Sequence, residues 1–156
     1  MMLRSLRSQR VPEVLVVEDN PDDVFFTREA FDSSPVRVNL HHVDNGVKCL
    51  QFLRKQDEYV GVPSPDLILL DIHMPLMNGH EVLKAIVDDE LLRHIPVVVL
   101  TTSSDAADVD LMYQLRCNAY LTKSVNFEQF SGAIAQLAEF WFNVIVLPSG
   151  QGGRAP

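Results

Sequence analysis

The sequence has only two cysteines in 156 residues, Cys49 and Cys117, far apart and with neither in a C-x-x-C. That excludes a disulfide framework, and one pair does not make a zinc site, which usually draws on four ligands. Both thiols are expected to pack as small buried hydrophobes. No apolar run approaches the roughly 20 residues that a membrane-crossing helix needs. The segment Met1 to Arg10 is basic, but no apolar stretch of signal-peptide length follows it, so a cytoplasmic product is expected. A basic excess is missing too: 13 Lys+Arg stand against 21 Asp+Glu, a formal charge of −8. That balance lacks the electrostatic footprint of a nucleic-acid-binding domain. There is no internal repeat and no linker to a second domain. What remains, 47% apolar and 22% charged residues, is ordinary for one folded domain with short tails and is not the composition of a disordered chain.

The apolar residues fall into short β-branched runs separated by helical patterns. Val14 to Val17 reads as a buried strand. Asn20 is a good N-cap, Pro21 suits the first helical position, and Asp22 and Asp23 lie where the helix dipole favours acids. The helix runs to about Ser33, with Val24, Thr27 and Phe31 on one face. Val36 to His42 reads as the second strand, on which His41 and His42 point to opposite faces and cannot chelate together. Asn45-Gly46 turns the chain into a helix carrying Val47, Leu50 and Leu53. Leu67 to Leu70 is a third strand ending on Asp71. After Met74-Pro75, Asn78-Gly79 opens a helix with Val82, Leu83 and Ile86 inward. Val97 to Leu100 is the fourth strand and ends on Thr101. A helix follows at about Ala107 to Arg116, then a short strand, Ala119 to Leu121.

The last helix starts near Asn126. It places Phe127, Phe130, Ile134, Leu137 and Trp141 on one stripe and Phe140 and Phe142 on other faces. Val144 to Leu147 is a further apolar, strand-like run before a Gly/Pro-rich tail. Five strands alternating with five helices imply an α/β, doubly wound, five-stranded parallel sheet of the flavodoxin-like kind, in the order 2-1-3-4-5.

In that order the first and third strands are neighbours at the switch point, where ligands of such sheets bind beyond the carboxyl ends. Glu18, Asp19 and Asp71 then meet in one crevice. Three crowded carboxylates disfavour one another's ionisation and call for a cation. Hard oxygen donors with room for water suit Mg²⁺ or Mn²⁺ better than zinc. Thr101 ends the fourth strand and Lys123 follows the fifth, adding a hydroxyl and a positive charge. A cation, a lysine and a hydroxyl around one carboxylate suit a phosphoryl group, with Asp71 as nucleophile.

The motifs Val16-Val17-Glu18-Asp19-Asn20, Leu69-Leu70-Asp71-Ile72-His73-Met74-Pro75-Leu76-Met77-Asn78-Gly79, Leu100-Thr101-Thr102 and Tyr120-Leu121-Thr122-Lys123 resemble the receiver domain of two-component response regulators. The resemblance spans residues 12–142, with a basic tail over 1–11 and an apolar extension and tail over 143–156. Thr101-Thr102-Ser103-Ser104 and Phe140-Trp141-Phe142, followed by an apolar segment and Pro148, bring it nearest to the small single-domain regulators that serve bacterial and cyanobacterial phytochrome kinases. The resemblance implies Asp71 as phospho-acceptor, and Glu18 and Asp19 around Mg²⁺ with the His73 backbone carbonyl as a further ligand. It implies Thr101 as switch hydroxyl, Tyr120 as the aromatic that moves with it, and Lys123 as partner of the phosphate.

It also implies a histidine kinase as partner, a bacteriophytochrome by subgroup. Relatives of that kind pair symmetrically, which points to a homodimer with Phe140, Trp141, Phe142, Val144 and Ile145 at its interface. Receivers usually carry a cis proline after the lysine. Ser124 stands there instead, and a trans Lys123-Ser124 bond is expected, since cis costs about 2.5–4 kcal/mol without proline. The chain is then a self-phosphorylating regulator rather than an enzyme with turnover.

Other readings fit less well. A haloacid-dehalogenase-type phosphatase needs an acid two residues after the nucleophile, where His73 stands. A dinucleotide-binding domain needs G-x-G-x-x-G where Asn20-Pro21-Asp22 stands. A degenerate receiver kept as a binding module would lack the acceptor, the acidic pair or the lysine, and all are present. A phosphoryl shuttle to a downstream histidine phosphotransfer protein remains an alternative output.

Overall fold

The run Leu67–Leu70 is buried along its whole length, as the middle strand of a parallel sheet covered on both faces must be. The computed structural model describes residues 10–123, 126–144 and 146–147. Among these, five strands, β1 (Glu13–Val17), β2 (Asn39–Val43), β3 (Leu67–Leu70), β4 (Val97–Thr101) and β5 (Ala119–Thr122), pair in the order β2-β1-β3-β4-β5, all parallel. Five α-helices connect and follow them: α1 (Pro21–Ser33), α2 (Gly46–Leu53), α3 (Gly79–Asp88), α4 (Ala106–Gln114) and α5 (Phe127–Glu139). The expected fold class and strand order are therefore observed. No helix of the described residues is long and apolar enough to cross a membrane.

Alternate residues of each strand feed two cores. Leu15, Val17, Ile68, Leu70, Val97 and Val99 face α2 and α3. Val14, Val16, Leu67, Leu69, Val98 and Leu100 face α1 and α5. Helix starts follow the sequence signals. Asn20 caps α1 by accepting from the Asp22 and Asp23 amides, and Asn78 forms a reciprocal capping box with Glu81. Cys49 and Cys117 are buried free thiols, as expected, and burial pushes the Cys49 thiol up to about 12.

Four local expectations are corrected. The second strand begins at Asn39 rather than Val36. Ser34 ends α1 and its hydroxyl accepts from the Val36 amide, so the chain is still turning there, and pairing starts only where Glu13 meets Asn39. Val47 is exposed, while Gly46, Cys49, Leu50 and Leu53 face inward. Gly46 sets that phase: a Cβ on it would lie 2.5 Å from the Met77 carbonyl oxygen, so α2 can approach this closely only with glycine facing in. Phe127, 41% exposed, stacks on Phe26 of α1 with ring centroids 6.0 Å apart instead of reaching the sheet.

The fourth correction is at the C-terminus. Phe140–Val144 forms a π-helical turn, not part of a regular α-helix. The wider i→i+5 turn changes the phase, so Trp141 and Phe142 both enter the core shared with Phe130, Ile134 and Leu137. The expected strand-like run is not extended at its start: Val144 belongs to that turn. Val146 is exposed, Leu147 packs back on the chain's own core, and Ile145 lies outside the described residues. The Lys123-Ser124 bond also lies outside them.

Trp141 thus serves its own protomer's core. Trp141→Ala is expected to lower unfolding stability by about 3–5 kcal/mol, the usual cost of emptying a buried indole site. The loss should be the same at every protein concentration in urea titrations. A loss that shrinks on dilution would place the indole in a contact between chains instead.

Candidate functional site

The order of the sheet brings the carboxyl ends of β1 and β3 side by side, and acids stand at both. The Glu18 amide bonds to the Val43 carbonyl and the Asp71 amide to the Val17 carbonyl, so each carboxylate leaves from a backbone position fixed by the neighbouring strand. Carboxylate oxygens of Glu18, Asp19 and Asp71 all lie within 4.8 Å of one another. Glu18 and Asp71 are buried and Asp19 is exposed, which leaves one open side. Three hard oxygen donors with an open face fit a divalent ion of the Mg²⁺ or Mn²⁺ type.

Asp71 is held asymmetrically. Its Oδ1 accepts from the Ile72 amide at 2.8 Å, while its Oδ2 faces Lys123 Nζ at 3.6 Å. Close packing keeps this strand end in place. Gly79 opens α3 against it, where a Cβ would lie 2.5 Å from the Asp71 carbonyl oxygen, and the Gly79 amide bonds to the Ile72 carbonyl at 2.7 Å.

Lys123 reaches the cluster from β5, two strands away from β3, with its amide bonded to the Thr101 carbonyl at 2.7 Å. Its ammonium, largely buried, bonds to Glu18 and to Asp23 Oδ2, the latter at 2.8 Å. Burial pulls the Lys123 pKa down. The bonds to Asp23 and Glu18 and the charges of Asp71 and Glu18 more than offset that, so it lies above its ordinary value. Asp23 went unrecognised in the sequence because acids in a helix's first turn are ordinary dipole partners. His42 was also missed: its Nε2 donates to the Glu18 carbonyl at 2.7 Å, fixing the same strand end from β2.

Thr101 is fully buried at the end of β4, and its Oγ1 lies 3.5 Å from the Ser103 amide. Tyr120 is partly buried and its hydroxyl donates to the Ser103 carbonyl at 2.8 Å. The two residues expected to switch together therefore meet at one residue, Ser103. The Ser103 hydroxyl donates to Asp108 on α4 at 2.6 Å, and His73 and His80 approach the same carboxylate at 3.6 and 3.7 Å. The exposed His73 side chain is thus turned toward α4. Of the five residues expected at an interface, Phe140 and Val144 are each 49% exposed, whereas Trp141 and Phe142 are buried in their own core and Ile145 lies outside the described residues.

A family model for the response regulator receiver domain matches residues 14–135. The response regulator Rcp1 of Synechocystis sp. is 38% identical over 136 residues, 87% of this chain and 92% of that protein. Among solved structures, the phosphorylated cyanobacterial phytochrome response regulator RcpA superposes with a TM-score of 0.85 at 38% identity, covering 90% of this chain and all of that one. The Mn²⁺-bound form of Rcp1 superposes at 0.82 and 38% identity, covering 88% and 99% of the two chains.

The site makes stability depend on pH in a definite direction. Burial holds the Glu18 carboxyl up to about 7 from 4.5, with Asp71 adding to the rise and Lys123 and the Asn20 amide opposing it. Between those values the folded chain keeps a proton that the unfolded chain releases. The metal-free protein should therefore lose stability as pH rises from about 4.5 to about 7 and change little beyond. A divalent ion needs the ionised carboxylate, so its stabilising effect should grow over the same window. Thermal melts in chelator and in excess Mg²⁺ check this. Glu18→Gln should flatten the chelator curve, and an unchanged slope in that variant would assign the pH dependence to another group.

Proposed function

Because this chain belongs to the response regulator receiver family, we propose that Asp71 is the residue on which it accepts a phosphoryl group from its partner histidine kinase. Phosphoryl acceptance within a two-component system is the family's function, and the chain is a regulator rather than an enzyme with turnover. The observation that carries the assignment is the meeting of Glu18, Asp19 and Asp71 within 4.8 Å, with the Lys123 ammonium 3.6 Å from Asp71.

Asp71 Oδ2 is the attacking oxygen, since Oδ1 is engaged by the Ile72 amide. The new O–P bond forms as the bond from phosphorus to the donor breaks, and the leaving group departs with that electron pair. Glu18, Asp19 and Asp71, with the His73 backbone carbonyl, are the residues that would hold Mg²⁺, for which Mn²⁺ can substitute. When bound, the ion supplies positive charge against the oxygens of the transferred group. Lys123 pairs with one of those oxygens. Thr101 turns its hydroxyl toward another and leaves the Ser103 amide. Ser103 also holds Tyr120, so loosening it frees the ring and alters the surface of α4, β5 and α5.

The kinase partner is of the phytochrome type, supported by the likeness to Rcp1 and RcpA. The protein works in the cytoplasm, a setting that suits its two free thiols. It forms a homodimer through the α4, β5 and α5 face and the segment after α5. The exposed Phe140 and Val144 support that contact.

Labelling with acetyl phosphate and Mg²⁺ should place one base-labile phosphate on the chain, and Asp71→Asn should abolish it with little or no fall in melting temperature. Persistent label in that variant would move the acceptor elsewhere. Transfer from a phytochrome-type histidine kinase should outpace transfer from an unrelated kinase. In sedimentation equilibrium, the full chain should run as a dimer at tens of micromolar and Phe140→Asp should run closer to monomer mass; a monomeric full chain would refute the dimer.

A further inference from the structure

Lys123 is engaged by more than the cluster it serves. An ammonium has three N–H donors. One goes to Glu18, and another goes out of the crevice to Asp23 on α1, at 2.8 Å. Asp71 Oδ2, at 3.6 Å, lies beyond hydrogen-bond distance. The ammonium therefore stands closer to Asp23 than to the residue whose phosphoryl group it must neutralise.

Asp23 is well placed to hold it there. Asn20 Oδ1 accepts from both the Asp22 and Asp23 amides, and the Thr27 hydroxyl donates to the Asp23 carbonyl at 2.8 Å. The first turn of α1 is thus fixed at both its amide and carbonyl sides. From it the Asp23 carboxylate reaches a lysine 100 residues further along the chain. Asp22, one position earlier on the same turn, is exposed to solvent.

We propose that Asp23 is a positioning residue that tethers Lys123 away from the acceptor oxygen until an incoming phosphoryl group draws the ammonium off. This rests on the reading of Asp71 as acceptor. In the step with acetyl phosphate, the Asp71 Oδ2–P bond forms while the P–O bond to the acyl group breaks, and acetate leaves with the electron pair. The phosphoryl group carries two negative charges and Asp23 only one, so the ammonium moves from carboxylate to phosphoryl oxygen as transfer proceeds. The charge-assisted bond to Asp23 must weaken along the way. The tether therefore slows phosphorylation, and it keeps Lys123 from collapsing onto Asp71 in the resting chain.

The test compares initial rates of Asp71 labelling by acetyl phosphate, with saturating Mg²⁺, in four full-length proteins: wild type, Asp23→Asn, Asp23→Glu and Asp22→Asn. Asp23→Asn keeps the shape and removes the charge. It should raise the maximal rate roughly three- to tenfold, the range expected when the carboxylate acceptor gives way to the weaker amide oxygen of Asn. Asp23→Glu should restore the wild-type rate, which rescue by charge predicts and a packing role does not. Asp22→Asn removes an equal charge one residue away and should leave the rate unchanged, and the difference between the two Asn variants should persist at high ionic strength. An Asp23→Asn rate at or below wild type overturns the proposal, as does an equal gain in Asp22→Asn. Should Asp23→Asn fail to fold, Asp23→Ser, which removes the same charge, decides by its labelling rate: a rate above wild type supports the tether, and a rate at or below wild type overturns it. Absence of any label on wild-type Asp71 overturns the acceptor assignment, and this proposal with it. A labelled wild type with an unmoved Asp23→Asn overturns this proposal alone.

Discussion

Carboxylates at the ends of two adjacent parallel strands repel one another, and burial makes Glu18 harder to ionise. Glu18 and Asp71 are both buried and lie with Asp19 inside a 4.8 Å cluster, an arrangement the strand backbones enforce rather than relieve. One ammonium offsets it. Lys123 comes from the far side of β4, so the two edges of the site are joined only when the sheet has closed in its observed order. The cluster is a place where the fold bears an unfavourable term, held by the two apolar cores on either face of β1, β3 and β4. A cation bound at that one point would change the charge felt by all three carboxylates.

Two glycines let the surroundings come close enough for that change to be felt. Gly46 brings α2 against the Met77 loop, and Gly79 brings the first turn of α3 against the Asp71 carbonyl. The strand end, the loop after it and the two helices therefore pack as one body, in which a small displacement has nowhere to dissipate. On the other side Ser103 gathers contacts with Thr101, Tyr120 and Asp108, the last of which also faces His73 and His80. Thr101 at the end of β4, Tyr120 of β5 and the outer helix α4 thus share a single junction of polar contacts at Ser103.

The strands and helix starts were legible in the sequence because each rests on local or near-local chemistry, and the sheet order because 2-1-3-4-5 is the common arrangement for strands and helices alternating in this way. β-branched runs mark strands buried on both faces, and Asn20, Asn78 and Asn126 mark helix starts by what their side chains can accept. Glu18, Asp19, Asp71, Thr101 and Lys123 could be placed together because each stands at a strand's carboxyl end, a position that period and order alone define. Phase within helices was less secure. Val47 was misplaced because Gly46, not an apolar residue, takes the inward position, and Phe127 because its ring found Phe26 rather than the sheet.

What the sequence by itself determined, then, is the α/β alternation, the parallel sheet and the row of chemical groups along its edge, since these follow from the spacing of residues along the chain. What only the tertiary structure decided is how those groups are paired. Asp23 looks like any first-turn acid until Lys123 is brought beside it, and His42 like an isolated polar residue until Glu18 offers its carbonyl. Trp141 and Phe142 look divided between two faces until a π turn rotates both inward. Partners so far apart in the chain, and a change of helical pitch set by the core it meets, depend on distances in space, which spacing along the chain does not encode.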